Sequence, residues 1–131
     1  MKGFFRKPAA LAEQTLSISA PCDSRMTFEA IERLGSRNGL AMDRVRLLHW
    51  TNAPVGDLAA VFRTTKGKLF RFGGKHAIGL STSLFQASER TIFSVLAHEF
   101  DHIAEFISKG DLDNELSATI AEIGAYLRYR K

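Results

Sequence analysis

The chain has little cysteine, little proline and no long apolar run. Cys22 is the only cysteine among the 131 residues, so an internal disulfide is excluded. A reducing compartment fits this composition, and we expect a cytoplasmic protein. No apolar stretch reaches the ~20 residues that a membrane-spanning helix requires, so we expect no membrane partner. The basic N-terminus is interrupted by Pro8 and lacks the sustained apolar region of a secretory signal.

Acidic residues are missing from one long stretch of the chain, from Leu58 to Ser88. The same stretch contains five of the basic residues that give the chain its formal net charge of +4, namely Arg63, Lys66, Lys68, Arg71 and Lys75. A surface built from it would attract anions, so residues 63–75 could form a basic hairpin that binds nucleic acid or an acidic protein. We favour the simpler interpretation, a solvated hairpin whose lysines protect a sheet edge.

The pattern of apolar residues predicts a single α+β domain. Residues 1–26 carry two prolines and weak patterning, which predicts an N-terminal arm, and residues 27–131 form the domain. Thr27 is expected to cap a first helix through Leu34. Four strands are predicted to form a small, mostly antiparallel sheet on which the helices pack, at residues 44–50, 58–63, 68–72 and 76–81.

Two further helices are predicted after the strands. The first is capped by Ser88 or Thr91 and ends at Lys109-Gly110, and the second is capped by Asp111 or Asp113 and reaches Tyr129. The short connection predicts that the two helices pack antiparallel. On the last helix we expect one aliphatic stripe to face the core, formed by Leu116, Ile120, Ile123 and Leu127.

The first of these helices contains the motif H-E-x-x-H at residues 98–102. Side chains four residues apart share one face of a helix, so His98 and His102 can both point at one ion. Zinc accepts neutral imidazole nitrogens in a tetrahedral shell, and a catalytic zinc site keeps one position open for water. Glu99 can then accept the proton of that water as the general base.

The position of Glu99 on the helix favours the metal site over an ordinary amphipathic helix. In a helical projection Glu99 falls between Ile92 and Phe106, inside the apolar arc, whereas His98 and His102 lie on the polar side. An ionised carboxylate buried without a partner is costly. A nearby cation would remove that cost.

A third ligand must come from elsewhere, and the last helix offers Glu115 and Glu122. They lie seven residues apart on one stripe, which also carries Thr119, Tyr126 and Tyr129. An antiparallel return brings Glu122 closer in height to the histidines, whereas a steep crossing of the helices would favour Glu115. The residue types alone leave both open.

At this point the chain resembles the zincin metallopeptidases of the gluzincin type, which use two histidines and a downstream glutamate. The similarity covers residues 77–131, through the strand AIGLS and the helices VLAHEFDHI and NELSATIAEIGAYL. It is nearest to ImmA/IrrE-type peptidases and to the metallopeptidase domain of ArdC-type antirestriction proteins. Asp101 and Thr119 depart from the pattern of these families, and we expect no ArdC-type DNA-binding domain because the 131 residues leave no room for one.

The resemblance implies a minimal zincin-like fold with one Zn²⁺ ion. It also favours Glu115 as the third ligand, because Ala118 follows it at the spacing of the family pattern. Cleavage of a regulatory protein, in a bacterial, phage or other mobile-element setting, is a further implication of the likeness.

The resulting hypothesis is a zinc metallopeptidase that hydrolyses a protein or peptide substrate. Glu99 would act as the general base and Tyr126 as the oxyanion partner, with His76 and Tyr129 as weaker candidates. Asp101 or Glu105 could accept a hydrogen bond from a ligand imidazole, and the strand at residues 76–81 could bind an extended substrate along its edge. His49 beside Trp50 is expected to be packed rather than to bind metal.

Two rival hypotheses remain open. One is a non-catalytic zincin-like module that binds nucleic acid or an acidic protein through the hairpin at residues 63–75. The other is a structural domain stabilised by a metal in a closed site.

Overall fold

The computed structural model describes residues 9–130. Within them the chain forms three α-helices, α1 (Phe28–Arg37), α2 (Glu89–Lys109) and α3 (Glu115–Arg128). The strands are short except for two, and are β1 (Ala9–Ala10), β2 (Leu16–Ser17), β3 (Val45–Trp50), β4 (Ala59–Ala60), β5 (Phe62–Arg63), β6 (Arg71–Phe72) and β7 (Lys75–Ser81). Three 3₁₀ turns occur at Leu11–Glu13, Met42–Arg44 and Thr82–Gln86. No helix among these residues is long and apolar enough to span a membrane.

The main sheet is mixed, and its strands follow the order β2-β3-β7-β4, with β6 also paired to β7. The longest pairing is parallel and joins β3 to β7 from Val45↔His76 to Trp50↔Ser81. The other three pairings are antiparallel. The α+β class is therefore confirmed, and most pairings are antiparallel as expected, although the central one is not.

Fewer residues of the predicted hairpin lie in strands than the sequence indicates. Its two expected strands reduce to β4, β5 and β6, held together by hydrogen bonds from Phe70 N to Phe62 O and from Thr64 N to Lys68 O. Gly67 turns the chain with a positive φ of 77°. Of the predicted N-terminal arm, residues 1–8 lie outside the described residues, whereas β1 pairs with β5 and β2 with β3.

Helix α2 begins and ends where the sequence predicts. The Oγ of Ser88 accepts the backbone N–H of Thr91, which satisfies one of the free donors at the helix start. Gly110 adopts the left-handed conformation with φ 69° and closes the helix on the carbonyl of Phe106. Between these ends, the buried residues Ile92 and Leu96 pack against the sheet in the main core.

Helix α3 is capped by Asn114, not by Asp111 or Asp113 as predicted. The Asn114 side chain accepts the N–H of Ser117 at 3.0 Å. Asp111 is committed to a local turn instead, because its Oδ1 accepts the N–H of Asp113.

The aliphatic stripe of α3 faces solvent, so its prediction as the core face is wrong. The exposed fractions are 54% for Leu116, 62% for Ile120, 55% for Ile123 and 77% for Leu127. The face turned towards α2 carries Glu115, Ala118 and Ala125, all buried. Small side chains allow two helices to approach closely, and that approach buries the glutamate together with the alanines.

Close packing around Gly79 leads to a stability prediction. A Cβ on Gly79 in β7 would lie 2.6 Å from Cζ of Phe62 and 3.2 Å from Cβ of Trp50. The rings of Trp50 and Phe62 already pack edge to face at 5.4 Å. We expect Gly79→Ala to lower the free energy of unfolding by about 1–3 kcal/mol through overpacking, measured by urea denaturation.

Gly124→Ala is the matched control, because Gly124 lies in helix α3 and its added Cβ would meet only Nη1 of Arg128, at 3.4 Å. That substitution should raise the free energy of unfolding by up to about 1 kcal/mol through helix propensity. Equal effects of the two substitutions would contradict the packing described for Gly79.

Candidate metal centre

His98 and His102 lie on successive turns of α2 and face α3. Their ring centroids are 5.0 Å apart, with the ring planes inclined at 65°. Both side chains are largely withdrawn from solvent, and His102 is the more deeply buried. The regular helix between Ser88 and Gly110 fixes this pairing, as the i, i+4 spacing predicts.

Glu115 completes a cluster with the two histidines from the first position of α3. Its Oε1 lies 3.3 Å from Nε2 of His98, and its Oε2 contacts Nε2 of His102. One donor atom from each of the three residues lies within 4.8 Å of the others. This arrangement could hold a metal ion, and two imidazole nitrogens with one carboxylate oxygen are a ligand set that zinc accepts.

The protonation of the cluster reflects the same contacts. Burial alone would lower the pKa of His98, but the carboxylates of Glu115 and Glu122 outweigh it and raise that pKa to about 10. Burial is likewise outweighed at His102, where Glu115 is again the chief cause of the raised pKa. The two imidazoles in turn hold the pKa of Glu115 below its usual value against the effect of burial. The pocket therefore favours positive charge beside Glu115.

The chemistry of the donor set supports the fit of a cation. The carboxylate of Glu115 is buried and meets Nε2 of both histidines. A metal ion between the three donors would replace the protons that these contacts now share. Two imidazole nitrogens and one carboxylate oxygen fit a divalent cation.

Glu122 approaches His98 from the opposite side of the ring. Its Oε1 lies 2.8 Å from Nδ1 of His98, while Glu115 meets Nε2. The two glutamates therefore differ in which ring nitrogen of His98 each one meets. The geometry groups Glu115 with the histidines as the third donor and places Glu122 where an acid can orient the ring.

Glu99 is buried beside the cluster, as its place in the apolar arc predicts. Its Oε2 lies 4.0 Å from Nε2 of His98, on the side of the ring that Glu115 also faces. Burial raises the pKa of Glu99 above its usual value, and the neighbouring histidines only partly oppose that effect. A carboxylate with a raised pKa, next to the donor atoms, is suited to accept and return a proton.

Tyr126 lies at a shallow pocket of about 150 Å³ that is also lined by Glu122 and Ser94. Its ring is half-exposed and lies 4.8 Å from Cζ of Arg90. No ion pair or hydrogen bond found among the described residues joins Tyr126 to the histidines. The pocket adjoins Glu122. The role of Tyr126 as an oxyanion partner stays a prediction.

The other candidate side chains have partners of their own. The hydroxyl of Tyr129 donates to Glu89 at 2.7 Å, and His76 lies at the start of β7, where it pairs with Val45. His49 is packed as expected, with Nε2 2.8 Å from Oγ1 of Thr82.

Asp101 and Glu105 join the two helices and do not contact a ligand imidazole. Asp101 Oδ2 accepts the hydroxyl of Ser117 at 2.6 Å, and Glu105 Oε1 accepts the side-chain amide of Asn114 at 2.8 Å. This role of Asp101 and Glu105 was not predicted from the sequence. The spacing of polar residues on the two antiparallel helices is the signal that could have indicated it.

The strand at residues 76–81 is not a free edge, so its prediction as the substrate-binding edge is wrong. β7 lies between β3 on one side and β4 and β6 on the other, and its backbone groups are used in the sheet. In the described part of the sheet, β4 and β6 are the terminal strands on this side. An added strand on this side would therefore pair with β4 or β6 rather than with β7.

Two of the five basic side chains of the hairpin have partners on the protein. Arg63 pairs with Asp113 at 2.7 Å, and Arg71 donates to the carbonyl of Gly74. Lys66, Lys68 and Lys75 are exposed. Nucleic-acid binding by the hairpin stays a prediction.

Comparison with protein-family models, with curated proteins and with solved structures gives no match. The resemblance to zincins therefore depends on the motif and its setting, and the residues of the cluster carry the functional argument.

Burial of Glu99 leads to a stability prediction for the metal-free protein. Glu99→Gln removes a carboxylate that burial makes costly to ionise. We expect the free energy of unfolding, measured by urea denaturation in the presence of a chelator at neutral pH, to rise by about 1–3 kcal/mol.

The exposed Glu13→Gln is the control and should leave stability unchanged within about 0.5 kcal/mol. A fall in stability in Glu99→Gln would contradict the assignment of an unfavourable buried carboxylate.

Proposed function

We propose that this chain is a zinc-dependent metallopeptidase whose single zinc ion is held by His98, His102 and Glu115. The observation that carries the proposal is the convergence of two Nε2 atoms and one carboxylate oxygen, with a buried acid beside them. When bound, zinc would act as a Lewis acid on the scissile carbonyl and lower the pKa of a water molecule.

Glu99 is the proposed general base. It accepts a proton from the attacking water and passes it to the nitrogen of the leaving amine, so that one carboxylate serves both halves of the reaction. Its burial supports this role, because a raised pKa brings the group closer to neutral pH and improves its capacity to return the proton.

The histidines and Glu122 do the positioning in this proposal. His98 and His102 would hold the metal, and Glu122 would orient the His98 ring from its Nδ1 side. The substrate is a protein or peptide, bound as an extended strand against β4. Tyr126 would donate to the oxyanion after a movement of the half-exposed ring.

The biological setting is proposed from the sequence resemblance alone. ImmA/IrrE-type peptidases suggest a cytoplasmic enzyme that cleaves a regulatory protein in a bacterial or mobile-element context. The rival structural-metal hypothesis keeps the same ligands but has no use for Glu99, which makes this residue the discriminating one.

Zinc binding tests the ligand set. We expect one zinc per chain, measured by atomic absorption after dialysis. The affinity for zinc should fall by more than about 100-fold in His98→Ala, His102→Ala and Glu115→Ala, because losing a direct ligand costs more than losing a residue that only orients a ligand. His76→Ala is the matched control, because His76 lies at the start of β7 and not in the cluster, and it should bind zinc normally. Retention of zinc by His98→Ala would contradict the proposal.

Peptide hydrolysis tests the general base. The zinc-loaded protein should cleave members of a peptide library, followed by mass spectrometry. Glu99→Gln should keep its zinc, and its rate of peptide cleavage should fall by about 10²–10⁴-fold, which is the usual contribution of a general base. Glu105→Gln is the control on the same helix, since its amide oxygen can still accept from Asn114.

Two outcomes of this experiment would count against the enzyme. No cleavage by the zinc-loaded protein would favour a structural metal. Undiminished cleavage by Glu99→Gln would remove this residue from the mechanism. Salt-dependent DNA binding, lost when Arg63, Lys66 and Lys68 are neutralised, would instead support the hairpin module.

A further inference from the structure

Helix α3 carries an uncovered apolar face that borders the pocket of Glu122 and Tyr126. Among the described residues nine large apolar side chains are exposed, and five of them lie on α3: Leu116, Ile120, Ile123, Tyr126 and Leu127. A sixth, Ile107, lies near the end of α2, three residues before the C-cap Gly110. Soluble monomers rarely expose a contiguous patch of this kind without a partner.

The stripe has a palindromic sequence. From Leu116 the aliphatic residues run Leu-Ile-Ile-Leu with spacings of four, three and four residues, and from Leu127 backwards they run the same way. The 4-3-4 spacing is that of a helix that packs along another helix. A palindromic stripe is complementary to itself when two copies of the helix run in opposite directions.

We propose that α3 pairs with α3 of a second copy of this chain, antiparallel and about a two-fold axis. Leu116 then lies opposite Leu127 of the second copy, and Ile120 lies opposite Ile123. A two-fold interface uses the same patch on both partners, which is the condition that this stripe satisfies.

The charges at the two ends of α3 support the antiparallel direction. Asp111 precedes the helix, and Arg130 follows the last aliphatic residue of the stripe. Asp113 is already paired with Arg63, and Arg128 lies over the ring of Phe93. Antiparallel pairing brings the acidic end of one helix to the basic end of the other and opposes the two helix dipoles. Parallel pairing would place like charges together at both ends.

The flanks of the stripe add no repulsion across the axis. The positions beside the seam within the helix are uncharged, namely Ser117, Thr119, Gly124 and Tyr126. Burying the apolar side chains of both copies would remove on the order of 1,000 Å² from water, the lower limit for a specific interface. We therefore expect a dimer that dissociates on dilution.

This pairing does not depend on the proposed metal. Glu115, Ala118 and Ala125 occupy the buried face of α3, whereas the four residues of the stripe are exposed and include no proposed metal ligand. Ile123 and Leu127 border the pocket that Glu122 also lines. The metal-free and metal-loaded proteins should therefore both form the dimer.

Sedimentation velocity over a range of concentrations tests the dimer. The full chain should shift from monomer to dimer as concentration rises, and the double substitution Ile120→Glu with Ile123→Glu should leave it monomeric. Val55→Glu is the matched control, because Val55 is fully exposed in a loop and should not affect association. Circular dichroism checks that each variant is folded, which is expected because the substituted side chains face solvent.

Cysteine cross-linking tests the direction in a Cys22→Ser background. Leu116→Cys and Leu127→Cys should form a disulfide with each other when mixed and neither should link to itself, because identical positions lie about 16 Å apart along an antiparallel pair. Parallel pairing would link each variant to itself.

Three results on self-association would overturn the proposal. These are a chain that stays monomeric at every concentration, a dimer that survives the double glutamate substitution, and self-linking of Leu116→Cys. A monomer that floats with lipid vesicles would show that the stripe serves a membrane surface, and would likewise overturn it.

Discussion

The close packing of α3 on α2 is the contact on which the candidate site depends. Ala97 on α2 and Ala118 and Ala125 on α3 are buried there, and such small side chains let the two helices approach. Two hydrogen bonds, from Ser117 to Asp101 and from Asn114 to Glu105, fix the helices against sliding. Because α3 is held in this position, its first residue brings a carboxylate between the two histidines.

The same contact explains the unusual polarity of α3. A helix that turns its glutamates and alanines inwards must turn its larger aliphatic residues outwards, since both sets lie on one short helix. The same packing buries Glu99, and its raised pKa shows that the carboxylate is costly to ionise there. The exposed stripe is the other consequence, and pairing with a second copy would cover it.

Much of α2 was predictable from the sequence, whereas the orientation of α3 was not. Ser88, Gly110 and the H-E-x-x-H spacing are local signals, and they set the helix ends and the shared face of the histidines. The core face of α3 was predicted wrongly because hydrophobicity favoured Leu116 and Ile120, while tertiary packing selected the alanines. The parallel pairing of β3 with β7 depends on contacts between distant parts of the chain, which periodicity does not report.

The residue types alone could not decide which glutamate of α3 is the third donor. Both glutamates of α3 come close to His98, and the distinction between them is which ring nitrogen each one meets. An anomalous difference map at the zinc absorption edge, from crystals grown with zinc, tests this directly. We predict one peak about 2.0–2.2 Å from Nε2 of His98, Nε2 of His102 and a carboxylate oxygen of Glu115. A map without a peak between these atoms, or with the peak on Glu122, would contradict the account.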